Sequence, residues 1–443
     1  MTGTAVVGLP DPLPIEPTAG PIDATIRIPG SKSLTNRALV CAALAEGTTW
    51  LTGALVAEDT EAMMSCLRRL GADVDVDLVD ECGAMIEVVG TGGNLAEGPL
   101  DLEVHLSGTT ARFLLPVLGI GPGPYRLDGA EPLRARPMAH GLAALALLGA
   151  EIDHRGAPGR LPVVVHGHVG GDEVVVDGSV SSQFVSGLLL AAPCYRHGLT
   201  VQVEGGLVSA PYVTLTDQVM SAFGAGPQAL GDGRYRVEPT GYRAVSPFAI
   251  EPDASSASYA FAAAAVVGGR VRVEGLGRDS RQGDLAFVDL LARMGVEVEQ
   301  GSDFTEVRAT GALEGIDVDL RDTPDIAQTL AAVAVFAATP TTVRGIGFVR
   351  GHETDRLAAV VAELRRCGID AEETEDGFVV RPGEPTPAVV ETYDDHRMAM
   401  SFALLGLRAP GIRIADPGCV AKTFPTYWRL LDRLRSGPGS PAD

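Results

Sequence analysis

A concealed internal repeat constrains this chain more than any other feature. Five glycines, Gly53, Gly129, Gly205, Gly275 and Gly345, follow one another at spacings of 76, 76, 70 and 70 positions. Each stands between a short strand-like run and an amphipathic segment, as in LTGALVAEDTEAMMSCLRRLGADVDV from Leu51 and VRGIGFVRGHETDRLAAVVAELRRCGIDAE from Val343. A segment from Ile414 closes the series as a sixth copy. A fixed period of this length means one supersecondary unit repeated along the chain. Within the copies, Met63, Leu67 and Leu70, or Leu357, Val361 and Leu364, recur at three- and four-residue intervals, so these helices bury one face and wet the other.

A second series interleaves with the first. It begins with Ser, Thr or Asp and continues as a helix apolar nearly all round: PGSKSLTNRALVCAALAEG, LSGTTARFLLPVLG, DGSVSSQFVSGLLLAA, DASSASYAFAAAAVVGG, TPDIAQTLAAVAVFAA and YDDHRMAMSFALLGL. The markers Ser31, Ser107, Ser181, Asp253, Asp325 and Asp395 lie 76, 74, 72, 72 and 70 positions apart. Helices without a wet face must be buried. Each unit therefore reads strand, buried helix, strand, exposed helix, then one or two strands, an α/β layer pattern with crossover connections. Three units make a domain. The strand-like runs from Asp23 and Pro247 put the chain crossings near Pro29 and Glu251, so residues 30–251 form one domain and residues 1–29 with 252–443 the other. The first thirteen or so residues and the tail from Ser436 are rich in Pro and Gly and are expected to be mobile.

With 57 acidic against 35 basic residues the formal charge is −22, which argues against a general nucleic-acid or anionic-membrane surface. It leaves anionic small molecules open, since a cleft can be locally positive when fields decay over about 8–10 Å. The six cysteines are scattered without a C-x-x-C pair, and the His166–Gly–His168 doublet has no further ligands nearby, so no metal and no disulfide framework is expected. No run approaches a membrane span, and the amino terminus lacks a basic then apolar leader. The expectation is a cytoplasmic monomer.

The polar starts of the buried helices carry the chemistry. A helix start offers unpaired N–H groups and a partial positive charge, a ready anion site. Singly, each Ser or Asp there reads as an N-cap. Lys32, Ser33 and Arg37 cluster at the first start, where cations oppose the dipole and an anion would explain them. Ser181, Ser182 and Gln183 add uncharged donors at the third, while Gly108 permits close approach and Thr109 adds a hydroxyl at the second. Arg136, Arg356 and Arg397 bring guanidinium forks suited to carboxylate and phosphate, with Lys422 a fourth cation. Asp325 reads as an N-cap and Glu353 as a residue that caps or pairs locally, or both are acid–base groups beside that clamp, and His396 is either structural or a phosphate donor.

Taken together, the runs PGSKSLTNRA, DGSVSSQF, LVSAPY, DASSASY, HETDRL, YDDHRMAM and AKTFP resemble the 5-enolpyruvylshikimate-3-phosphate synthase family, in its order and spacing across nearly the whole chain. The resemblance implies a two-domain inside-out α/β barrel of six βαβαββ repeats, three per domain, with the active site between the domains. It implies transfer of the enolpyruvyl group of phosphoenolpyruvate to the 5-hydroxyl of shikimate 3-phosphate, with release of phosphate and no metal or organic cofactor. By motif, Lys32, Ser33, Arg37, Ser181, Ser182, Gln183, Ser209, Tyr212, Asp325 and His352 are implied around shikimate 3-phosphate. Lys32, Gly108, Thr109, Arg136, Gln183, Glu353, Arg356, His396, Arg397 and Lys422 are implied around phosphoenolpyruvate, with Lys32, Asp325, Glu353 and His396 catalytic.

The chain departs from the family pattern at four places. His352 and Phe348 replace the usual Lys and Asn around E-T-D-R, so a permanent charge becomes one that titrates near neutrality. Leu106 and Phe113 replace the usual Asn and Pro around Gly108. Two alternatives remain open at this point. The sister enzymes that act on UDP-N-acetylglucosamine carry a reactive Cys where GAEPLRARP has none, and Asn where Ser33 stands. A non-catalytic anion-binding homologue is the other.

Overall fold

The computed structural model describes residues 8–436. The expected mobile tail lies outside the described residues apart from Ser436, as do residues 1–7. The chain divides into two compact units: a continuous one, Gly30–Ile250, and a split one made of the residues up to Pro29 together with those from Glu251. Glu251 is tied to the split unit by hydrogen bonds from Ser280 Oγ (2.6 Å) and Gln282 Nε2 (3.1 Å).

The six segments with polar starts are helices. They are α1 (Lys32–Leu44), α2 (Gly108–Leu118), α3 (Ser182–Ala191), α4 (Ala254–Val267), α5 (Ala327–Ala334) and α6 (His396–Gly406). Their burial follows from the absence of a polar stripe: every residue of α1 from Leu34 onward is buried, and so is every residue of α6. Within each unit the three buried helices pack on one another. The outer helices behave oppositely. Glu58–Arg69 and Arg356–Arg366 alternate buried and exposed faces, with acidic residues opening the first and arginines closing both, as the helix dipole favours.

Five of the six repeats lay their strands down in one way; among the described residues the sixth pairs Ala388–Val390 parallel to Ile412–Ile414 in a three-stranded sheet. Leu100–Glu103 runs parallel to Tyr125–Asp128 across α2, and the hairpin strands Glu151–His154 and Val163–His166 complete the sheet antiparallel. Glu173–Asp177 and Leu199–Glu204 repeat this across α3, and Asp317–Asp319 and Thr341–Arg344 across α5. The first sheet of each unit takes its parallel strand from beyond the repeat. Phe248–Ala249 pairs with Thr48–Ala54 in the continuous unit, and Ile22–Ile26 pairs with Gly269–Glu274 in the split unit. Leu13–Pro14 pairs with Ile412–Ile414, and Asp11 accepts from the Asp416 N–H at 2.9 Å. Strand pairing thus begins at Leu13, at the end of the stretch expected to be mobile.

Close helix contact sets one measurable constraint. A Cβ on Gly187 of α3 would lie 2.5 Å from the Arg112 carbonyl oxygen of α2, a backbone atom that cannot swing away. Gly187→Ala is therefore expected to cost about 1–3 kcal/mol through overpacking, read as a lower denaturation midpoint. An unchanged midpoint would mean the two helices separate freely.

Among the described residues no helix is long and apolar enough to cross a membrane.

Candidate active site

In the continuous unit the three helix starts are linked by side chains. Ser31, Ser107 and Ser181 cap α1, α2 and α3, each hydroxyl accepting a backbone N–H, and no first turn contains an acidic residue. The partial positive charge of three helices is thus left without a carboxylate on its own turn. Lys32 Nζ stands 3.3 Å from Asp59, whose backbone carbonyl accepts from the Thr110 hydroxyl at 3.1 Å, which joins α1 to α2. Gln183 joins α2 to α3, accepting from Arg112 at 2.8 Å and donating to Thr109 at 3.4 Å.

Arg37 is only 2% exposed and its nitrogens donate to neutral oxygens: Thr216 Oγ1 (2.8 Å), the Ser33 carbonyl (2.9 Å) and the Tyr212 carbonyl (3.0 Å). Its guanidinium also lies over the Phe113 ring. Burial lowers its pKa to about 10. It thereby ties Ser33 and Tyr212 together, with Ser209 just ahead, buried and held at φ 54.

Arg136 is placed by its loop. Asp128 is buried and accepts from Arg126, from Arg134 (2.8 and 2.7 Å) and from the Gly129 N–H (2.8 Å). Burial alone would raise this carboxyl, but the Arg134 and Gly129 bonds outweigh it and hold it below the usual range. The loop then lays Arg136 against the first residue of α2: a Cβ on Gly108 would meet Arg136 Nη1 at 2.8 Å. Glycine at 108 is what lets a guanidinium sit on a helix start.

In the split unit, Arg356 is the hub. Its guanidinium, 3% exposed, bonds Asp395 through Nε (2.8 Å), Asp325 through Nη1 (2.9 Å) and Glu353 through Nη2 (2.9 Å). Arg397 takes the other oxygen of Asp325 at 2.7 Å, and Lys422 stands 3.7 Å from Glu353. Burial would lower the Arg356 pKa, but Asp395, Glu353 and Asp325 outweigh burial and hold it above its usual value. The three carboxylates differ in access. Asp395 is sealed at 0% and caps α6, whereas the side chains of Glu353 and Asp325 keep 17% and 22% of their surface.

Two expectations are resolved here. The local-cap reading of Asp325 does not hold: it lies in a single 3-10 turn, Pro324–Ile326, and α5 has no side-chain cap. Its oxygens face arginines instead. Glu353 pairs locally with Arg356, three positions on, which is one of its two local readings, while Asp355 caps that helix. His352 approaches Arg356 Nη1 through Nδ1 at 3.2 Å. A guanidinium only donates, so Nδ1 accepts and the imidazole carries its proton on Nε2. His396 is 1% exposed, with Nδ1 3.8 Å from Asp395, beyond hydrogen-bond range.

The site candidates therefore fall into two sets, one per unit. Lys32, Ser33, Arg37, Gly108, Thr109, Arg136, Ser181, Ser182, Gln183, Ser209 and Tyr212 belong to the continuous unit; Asp325, His352, Glu353, Arg356, His396, Arg397 and Lys422 belong to the split one. Hydrogen bonds and ion pairs join Asp325, His352, Glu353, Arg356, Arg397 and Lys422 in the split unit, and Gln183 to Thr109 and Arg37 to Ser33 and Tyr212 in the continuous one. His166 and His168 bond Asp153 and the Ile120 carbonyl, and among the described residues no group of His, Cys, Asp or Glu is disposed to hold a metal.

Sequence reasoning missed Asp59, Arg112, Asp284 and Asp395 as working parts of these networks. Arg112 had a signal, a charge inside an otherwise apolar helix. Asp284 had none, since it sits in an irregular turn, Gly283–Ala286. That carboxyl is 4% exposed and hydrogen-bonded to Ser255 Oγ. Burial and repulsion by Asp325 push it up to about 6, against the pull of Arg397 and Ser255. With the folded pKa raised above the unfolded value of about 3.9, this group's favourable contribution is complete below the unfolded value and lost as pH rises through about 6. Asp284→Asn should thus be nearly neutral near pH 4 and stabilise by up to about 3 kcal/mol above pH 7. Melting curves across that range check it; an equal change at both ends would remove the ionisation as cause.

Residues 17–431 match the family described as EPSP synthase (3-phosphoshikimate 1-carboxyvinyltransferase). The 3-phosphoshikimate 1-carboxyvinyltransferase of Nostoc punctiforme is 46% identical over 410 residues, 92% of this chain and 95% of that one. The Yersinia pestis protein of the same name is 44% identical over 419 residues, 93% and 96% of the two chains. Among solved structures, an EPSP synthase from Acinetobacter baumannii superposes with a TM-score of 0.79 at 27% identity, covering 95% of this chain and 97% of its own. The enolpyruvyl transferase NikO from Streptomyces tendae, at 20% identity, shares the fold with a TM-score of 0.76, covering 96% and 97%.

Proposed function

The chain belongs to the EPSP synthase family, and from that premise we propose how its residues carry the family's reaction, with the chain itself a 3-phosphoshikimate 1-carboxyvinyltransferase. It joins phosphoenolpyruvate to shikimate 3-phosphate. The 5-hydroxyl oxygen bonds C2 of phosphoenolpyruvate and gives up its proton while C3 gains one. The C2–O bond to phosphate then breaks as C3 returns a proton, leaving an enol ether and inorganic phosphate.

The observation that carries this reading is one buried guanidinium holding two partly open carboxylates, Asp325 and Glu353, beside Arg397 and Lys422. Addition and elimination both build positive charge at C2 and both move a proton at C3, so carboxylates near a cationic anion clamp suit them. Asp395 is sealed and serves the clamp. We assign proton transfer to Glu353 and Asp325 with Lys32 assisting, and a hydrogen bond to the departing phosphate to His396. Arg136, Arg356, Arg397 and Lys422, with Lys32, Gly108, Thr109 and Gln183, hold phosphoenolpyruvate. Ser33, Arg37, Ser181, Ser182, Gln183, Ser209 and Tyr212, with Lys32, Asp325 and His352, hold shikimate 3-phosphate. Arg37, a buried cation with neutral partners, gains most from such an anion. The enzyme acts as a cytoplasmic monomer on this reading.

A coupled assay of phosphate release with shikimate 3-phosphate and phosphoenolpyruvate tests it. Release only with UDP-N-acetylglucosamine as acceptor would transfer the assignment to the sister activity; release with neither would leave an anion-binding homologue.

A further inference from the structure

The residues ahead of α6 adopt a costly backbone. Tyr393 and Asp394 both have φ 56, two consecutive left-handed residues, neither of them glycine. L side chains avoid that region, and such conformations persist only where surrounding contacts over-determine them. The turn they form is closed by the Asp395 N–H donating to the Thr392 carbonyl at 2.9 Å. Directly after it come the Asp395 cap, His396 and Arg397.

What holds the turn is a buried carboxylate remote from it in sequence. Glu363 is 0% exposed, and its oxygens accept from the Tyr393 hydroxyl (2.7 Å) and the Glu391 N–H (3.0 Å), with Arg366 Nε 2.9 Å away. Glu363 belongs to the outer helix Arg356–Arg366, whose first residue is the hub arginine. Residues seven apart lie two turns along on the same helical face. One face therefore grips the 391–395 segment on both flanks of its left-handed pair: Glu363 holds Glu391 and Tyr393, and Arg356 holds Asp395.

We propose that Glu363 is a positioning residue for the anion clamp. Its carboxylate keeps Tyr393 and Asp394 left-handed, and so keeps Asp395 on Arg356 and Arg397 on Asp325. The proposal rests on the functional reading above, because the effect is read on phosphoenolpyruvate. A residue that served only to stabilise the helix would lower the melting temperature without a selective change in binding.

The test uses the full chain. Wild-type phosphate release is measured first; its absence overturns the assigned reaction and not the role of Glu363. With turnover in hand, Glu363→Gln keeps the shape but can no longer accept from both partners. It is expected to raise KM for phosphoenolpyruvate about tenfold and KM for shikimate 3-phosphate, which meets this clamp only through Asp325 and His352, several-fold less, since small displacements of a binding group are costly. Tyr393→Phe removes one of the same bonds and should move KM in the same direction, less far. Asp394→Gly, which makes the left-handed turn easy without Glu363, should restore most of the loss in the Glu363→Gln background. Unchanged constants in Glu363→Gln, equal effects on both substrates, or no restoration by Asp394→Gly would each overturn the proposal.

Discussion

Replacing Glu353 by Gln is expected to slow turnover by about 10²- to 10⁴-fold while leaving phosphoenolpyruvate binding within a few-fold of wild type. The amide keeps the length and an oxygen to accept from Arg356 Nη2, which now meets Glu353 at 2.9 Å. It cannot deliver or take a proton at C3. Glu353 is the right carboxylate to remove, because its side chain keeps 17% of its surface while Asp395, on the same guanidinium, keeps none. Steady-state phosphate release and calorimetric binding separate the two quantities. Turnover within a factor of two of wild type would take Glu353 out of proton transfer and leave it as part of the cation frame.

The second large effect is expected at the hub. Arg356→Met should destabilise the split unit by about 3–5 kcal/mol, because it strands the sealed Asp395 carboxylate without its partner in a low-dielectric interior. It should abolish measurable turnover as well, since Asp325 and Glu353 lose their common anchor. Arg356→Lys restores the charge but not the fork. A single ammonium cannot span three carboxylates, so it should recover part of the stability and little of the turnover. Chemical denaturation of the two variants beside wild type, with the assay at matched folded fractions, makes the measurement. Wild-type stability in Arg356→Met would show that Arg397 and Lys422 neutralise the carboxylates unaided.

Both predictions depend on which carboxylate does what, and that distinction was not written in the chain's local pattern. Asp325 and Asp395 head equivalent buried segments, 70 positions apart, and look alike as helix starts. In the structure Asp395 caps α6 while Asp325 turns both oxygens toward arginines. Capping depends on the φ and ψ of the residue itself. The Pro324–Ile326 turn denies Asp325 that geometry, and only the packed backbone shows it.

Local composition determined the alternation of wholly apolar and one-sided helices, since burial on all sides or on one side is visible in the period of the apolar residues. Local pattern likewise determined the α/β class and the polar helix starts, and the recurrence of that pattern every 70 to 76 positions determined the repeat. The tertiary structure alone decided the long-range partnerships: Asp59 with Lys32, Arg112 with Gln183, Glu363 with a turn 30 positions away, and two charged groups, Asp395 and Arg397, converging on the Arg356–Asp325 pair. An ion pair or a hydrogen bond needs atoms within about 3–4 Å, and sequence spacing does not encode distance between residues on different helices.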